Sequence, residues 1–178
     1  MKTSLSRILG PAVFGWAVIA TPGWATEKNP PGDIPDDQVF VAYASAAGGY
    51  RVKVPEGWKR TEQGPDVGFI DKFDGIAVTV DVVAAAPTSK DVVSRLEKTE
   101  KGLKVEGVKE IRLPNGPALR AKYEADSDAN PVTNKRIRLE KEAYVFYKDG
   151  KVAILTLWAP LGADNADQWK LMSESFRW

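Results

Sequence analysis

Residues 144–178 read YVFYKDGKVAILTLWAPLGADNADQWKLMSESFRW. Two apolar runs flank Asp149-Gly150, a pair suited to the positive φ angles of a two-residue hairpin turn. Such a turn sets Lys148 opposite Lys151, Phe146 opposite Ala153 and Tyr144 opposite Leu155. On the other face it sets Tyr147 opposite Val152 and Val145 opposite Ile154. Both faces are apolar, so the hairpin belongs inside a sheet covered on both sides. After Pro160-Leu161-Gly162 a short amphipathic helix is expected. Asn165 is its expected cap, Gln168 stands at the third position, and Trp169, Met172 and Phe176 share one face.

Working outward, the N-terminus carries the pattern of an export signal. Lys2 and Arg7 supply positive charge, Ile8 to Ala20 is apolar, and Gly23-Trp24-Ala25 has small residues at the −3 and −1 positions of a cut. The apolar run is short and broken by Gly and Pro for a membrane span. The expected organisation is a signal over 1–25, a flexible Pro/Gly-rich leader over 26–38, and one domain over 39–178. The exported chain is then soluble, periplasmic or extracellular, without a transmembrane segment, and a monomer.

The 178 residues include neither His nor Cys and carry a formal net charge of +1. Loss of Lys2 and Arg7 with the signal makes it −1. A near-neutral domain has no general electrostatic reason to bind nucleic acid or an anionic membrane. Without Cys no disulfide holds the fold, and thiolate nucleophiles and thiolate metal sites are excluded. Without His the commonest general base and nitrogen ligand are gone. Carboxylates, Lys, Tyr and Ser remain for chemistry, and no cofactor is implied.

Between leader and hairpin, Phe40–Ala44 and Tyr50–Val54 read as strands, the second alternating strictly. Trp58 follows at a Pro-Glu-Gly corner as a packing plug. Val67–Lys72 and Ile76–Ala84 form a hairpin expected to turn near Asp74-Gly75. Pro87 precedes a helix in which Thr88 caps with Asp91 three residues on. Asp91/Arg95 and Glu97/Lys101 are expected i,i+4 pairs on its exposed side, with Gly102 as its stop. Val105–Leu113 and Ala118–Ala125 pair around Asn115-Gly116, and Lys135–Tyr147 returns as a long strand. The order predicts an α+β fold, an antiparallel sheet sandwiched between helices.

Several of these stretches resemble the PsbP-like branch of the Mog1/PsbP fold. They are GGYRVKVPEGW at 48–58, FIDKFDGIAVTVDV at 69–82, the helix from Thr88, YVFYKDGKVAILTLWAP at 144–160 and GADNADQWKLMSESFRW at 162–178. The resemblance covers most of Phe40 to Trp178 and implies an α/β/α sandwich acting as an accessory protein without enzymatic activity. Photosynthetic members of the family assist photosystem II, and Mog1-type members act on a nuclear GTPase, a role at odds with an export signal. Plant members associate a His and a downstream Asp with metal. Asp164 or Asp167 matches the Asp here, but with no His the site does not carry over.

Asp126-x-Asp128-x-Asn130 resembles the opening of a calcium loop. Pro131 stands where that loop needs Gly and Ile137 where it needs Glu, so a polar loop is the expectation. Asp164 and Asp167 are also explained as acidic residues near a helix N-terminus. Three functions follow. The first is an exported accessory or binding protein of the envelope with a protein partner. The second is a small-ligand carrier with an aromatic pocket built on Trp58, Trp158 or Trp169. The third is a hydrolase using carboxylates or a divalent cation.

Overall fold

The β-hairpin at Asp149-Gly150 forms as its residues dictate: Asp149 and Gly150 adopt φ of 51° and 75°. The register pairs Lys148 with Lys151, Phe146 with Ala153 and Tyr144 with Leu155. The computed structural model describes residues 32–178. The expected export signal over 1–25, and leader residues 26–31, lie outside the described residues.

Two strands, β1 (Phe40–Ser45) and β2 (Tyr50–Pro55), make a separate antiparallel ribbon. Seven more make the main sheet: β3 (Lys59–Gln63), β4 (Asp66–Asp71), β5 (Asp74–Val82), β6 (Lys101–Leu113), β7 (Gly116–Asp126), β8 (Arg138–Lys148) and β9 (Lys151–Pro160). Their spatial order is β3-β4-β5-β9-β8-β7-β6, and every pairing is antiparallel. The 149–150 hairpin therefore lies at the centre, as its two apolar faces require.

Alternation along the strands splits the core into two clusters. On one face Ile76, Val78, Tyr144, Phe146, Leu155 and Leu157 pack against the β1–β2 ribbon and α2 (Ala166–Ser175). Trp169 (7% exposed) and Met172 are buried on one face of α2 as expected, with Ser173 beside them, while Phe176 is buried from the extended residue just past the helix end and not from its face. Phe176 stacks between Phe146 and Tyr50, at 4.3 and 5.6 Å between ring centroids. On the other face Ala121, Tyr123, Ala143, Val145 and Val152 meet α1 (Ser89–Thr99), which contributes Val92 and Leu96. One helix thus lies on each face, which is the expected α/β/α sandwich.

Several details differ from expectation, each for a local reason. The 26–38 leader is tied down over residues 32–38, an arm along the body. Ile34 is buried, its amide donates to Asn165 Oδ1 at 2.7 Å, and Asn165 Nδ2 donates to Gly32 O at 2.7 Å. Asn165 stands at the N-cap position of α2 as expected, but its side chain consequently makes no capping bond, and Gln168 Nε2 likewise donates to Ile34 O. β3 went unread because all five of its residues are exposed and give no apolar alternation. The β4–β5 turn falls at Lys72-Phe73, with Lys72 at φ 51°, so Asp74-Gly75 opens β5 instead. The β6–β7 turn is Pro114-Asn115, with Leu113 opposite Gly116.

The Thr88/Asp91 capping box is present, and it consumes the Asp91 carboxylate. Arg95 therefore pairs with Asp81 across to the sheet, at 2.7 Å, and not with Asp91. Lys101 begins β6, so the expected Glu97/Lys101 pair has no helix to sit on. α1 stops at Thr99 with Glu100 as its cap, before Gly102.

Asp74 is the arm's counterpart on the sheet. It is 6% exposed, its Oδ1 has no hydrogen-bond partner, and Gly32 and Pro160 crowd above it. Burial, then the charges of Asp71 and Asp33, push its carboxyl up to about 7, against the pull of Lys72.

Candidate functional site

The two faces are covered unequally. The ribbon, α2 and the arm close the first; on the second lie α1, which buries only Val92 and Leu96, and the polar 127–137 loop. Beside α1 the second face is left as a long groove. Two depressions, about 820 and 920 Å3, share Thr99, Glu100 and Thr156 in their linings. Each is within the size range of small-molecule sites.

The groove floor is built by odd-numbered positions of β8 and even-numbered positions of β9. Leu139, Lys141, Ala143 and Val145 alternate inward on one, and Val152, Ile154, Thr156 and Trp158 on the other. Lys141 is thus a cation in an apolar row, its side chain only 14% exposed. Its Nζ donates to Glu100 Oε2 at 2.7 Å and stands 6.0 and 5.9 Å from the ring centroids of Tyr123 and Trp158. Glu100 reaches it from the end of α1, and Tyr123 OH donates to the other oxygen, Glu100 Oε1, at 3.0 Å. Burial and the Glu100 charge push the Tyr123 phenol well above its ordinary range. The cluster pins the end of α1 to the sheet, with a carboxylate, an ammonium and two aromatic faces in one spot.

Gly75 makes room for this arrangement. It lies directly opposite Trp158, and a Cβ there would come within 1.9 Å of the indole. The ring therefore lies across the backbone of β5, the close approach that glycine inside a strand permits. At the rim, Ile70 and Phe73 are 45% and 49% exposed. Together with Trp158 they form an apolar lip along the β4–β5 side.

The structure places the three Trp offered as alternative pocket residues in different settings. Trp169 is buried in the first cluster and Trp58 packs half-buried against the same cluster, while Trp158 faces the groove on the opposite side. Asp164 and Asp167 are exposed at the start of α2, and the Asp164 amide donates to Asp33 Oδ1 at 3.0 Å. Asp126 pairs with Arg138 at 3.1 Å. Asn130 Oδ1 accepts from the amides of Val132 and Thr133, each at 2.9 Å, which makes it a turn former. Asp128 is exposed. Among the described residues no group of three or more acidic side chains is placed to hold a metal ion.

Lys141, Glu100, Tyr123, Ile70 and Phe73 were not singled out from the sequence. A signal existed for two of them. Lys141 follows Leu139 and precedes Ala143 and Val145 on one face of a strand, and a cation in such a row needs a partner. Phe73 is an aromatic between two hairpin strands, where polar turn residues are the rule.

No family model matches the chain, and no curated protein matches it in sequence. Solved structures do match it in fold. The solution structure of cyanobacterial PsbP (CyanoP) from Synechocystis sp. PCC 6803 is 14% identical with a TM-score of 0.55, over 82% of this chain and 97% of that one. The crystal structure of the Saccharomyces cerevisiae Ran-binding protein Mog1p is 11% identical with a TM-score of 0.53, over 79% of this chain and 95% of that one. The chain has a Mog1/PsbP-like fold.

Proposed function

We propose that this chain is an exported, non-enzymatic accessory protein of the cell envelope that binds a protein partner through the open face of its sheet. The observation that carries the proposal is the apolar lip of Ile70, Phe73 and Trp158 around the Lys141–Glu100 pair. Aromatic side chains exposed on a monomer's surface are enriched at interface centres, where they act as anchors. The shared fold with a Ran-binding protein supports a binding role, and the signal pattern over 1–25 supports export. Among the described residues no helix is long and apolar enough to cross a membrane.

Photo-crosslinking residues at Ile70, at Phe73 and, as a control, at exposed Lys109 on the other side test this in the living cell. A discrete adduct from 70 and 73 but not from 109 is expected. Equal labelling from all three positions, or none from 70 and 73, contradicts it.

The small-ligand alternative rests on the same groove, since its size suits a ligand and Trp158 supplies an aromatic wall. Native mass spectrometry of the exported protein separates the two. A bound small molecule that disappears in Trp158→Ala favours a carrier. For a carboxylate or divalent-cation hydrolase the geometry offers no supporting cluster among the described residues.

A further inference from the structure

A second surface lies between β2 and α2, away from the open face. Arg51 and Lys53 alternate outward on β2, with Tyr50, Val52 and Val54 inward. Asp167, Lys170, Leu171 and Glu174 form one stripe along α2, and Arg177 closes the end. Together with Ala42 they line a groove of about 600 Å3. The platform is held by backbone bonds: Arg51 and Arg177 exchange two N–H···O bonds at 2.8 Å, and the Lys53 amide donates to Ser175 Oγ at 2.8 Å.

The charges in this groove are unbalanced. Four cations, Arg51, Lys53, Lys170 and Arg177, face two carboxylates, Asp167 and Glu174. Among the described residues none of the four is in an ion pair. Other surface cations such as Lys90 and Lys109 are likewise in no ion pair, but here four stand around one groove. Arg51 and Arg177 are moreover directly opposite across an antiparallel bridge. Like charges so placed repel, a local cost that a bound anion relieves.

We propose that the β2–α2 groove docks an acidic protein segment in extended conformation, with carboxylates at alternate positions over Arg51 and Lys53 and an apolar side chain against Leu171. Side chains two apart on a strand are spaced about 6.6–6.8 Å, so an acidic-x-acidic segment matches the two cations in step. Guanidinium groups take carboxylates in bidentate fashion. Leu171, 37% exposed, supplies the apolar contact. A protein segment fits better than a polyphosphate or a bilayer. Asp167 and Glu174 interrupt the positive field that a uniform polyanion or an anionic bilayer needs.

The test uses the purified protein and a fluorescein-labelled peptide with Asp at alternate positions separated by Leu, read by fluorescence anisotropy. Binding is expected that weakens from low salt to about 0.15 M salt. It is expected to fall about tenfold or more in the double variant Arg51→Gln, Lys53→Gln. Both side chains are exposed and loss of Arg51 removes its repulsion with Arg177, so the thermal midpoint should hold or rise slightly and not fall. The opposite substitution, Asp167→Asn with Glu174→Gln, should tighten binding several-fold. Lys90→Gln with Lys98→Gln on α1 should leave it unchanged. Absence of peptide binding overturns the proposal, as does equal loss in the α1 control variant. Equal binding of a peptide with the same Asp residues in one block, or of phosphatidylglycerol vesicles, replaces it with unspecific anion attraction.

Discussion

The two faces of the sheet use the same residue types for different ends. On the face closed by the ribbon, α2 and the arm, Tyr50, Phe146, Phe176 and Trp169 are buried in one continuous cluster. On the open face Trp158 is half-buried, Phe73 and Ile70 are exposed, and the inward cation Lys141 needs a carboxylate from α1. An aromatic in a closed core contributes packing. An aromatic left at a groove rim contributes little to folding and is available for contact.

The sharpest way to break that contrast is on the closed side. Trp169→Ala is expected to cost about 3–5 kcal/mol, the usual result of truncating a buried large aromatic. Urea unfolding measures it, and a loss under about 1 kcal/mol would place Trp169 with surface residues. The helix that carries Trp169 has ten residues, too few to persist in water alone, so it should melt with the core.

Leu96→Ala probes α1 on the open side. Leu96 is 7% exposed and sits in the smaller cluster, beside the groove. A loss of about 2 kcal/mol is expected, at the low end for buried leucines because water can enter the space left. A loss equal to that of Trp169→Ala would mean the two faces are equally closed.

Asp74 tests the arm. Its carboxyl is raised from the ordinary 3.8 to about 7 by burial and by Asp71 and Asp33. A raised acid holds its proton more tightly in the folded state. Its contribution is therefore complete below about pH 4 and is lost as pH rises toward 7. Asp74→Asn removes that loss. The variant should match wild type at pH 4 and exceed it by about 1–2 kcal/mol at pH 8, measured by urea unfolding at both. Hydrogen exchange at Ile34, whose amide is held by Asn165, should slow in the variant at pH 8. Equal stabilities at pH 8 would show that Asp74 ionises without penalty under the arm.

What could be read in advance follows from how local the cause is. The 149–150 hairpin was legible to the residue because its turn chemistry and both apolar faces are written in adjacent positions. The Thr88/Asp91 box was legible for the same reason. β3 was not, because an exposed edge strand of KRTEQ shows no periodicity. Asn165 was rightly placed at the start of α2, but its side chain's role was not legible because its partner, the arm at Gly32 and Ile34, lies more than 130 positions away. Gly75 read as a turn because the residue that needs it, Trp158, comes from another strand. The open groove is a product of how little α1 covers, and coverage is a tertiary property.

The smallest expected effect is the most direct test of the division between the faces. The double variant Ile70→Ser, Phe73→Ser removes the exposed apolar lip while leaving both clusters untouched. Urea unfolding of this variant against wild type should show a change within about 0.5 kcal/mol, the range of surface substitutions. That result says the lip is not there to hold the fold. A loss above about 1 kcal/mol would make Ile70 and Phe73 part of the core and remove the ground for calling the open face a contact surface.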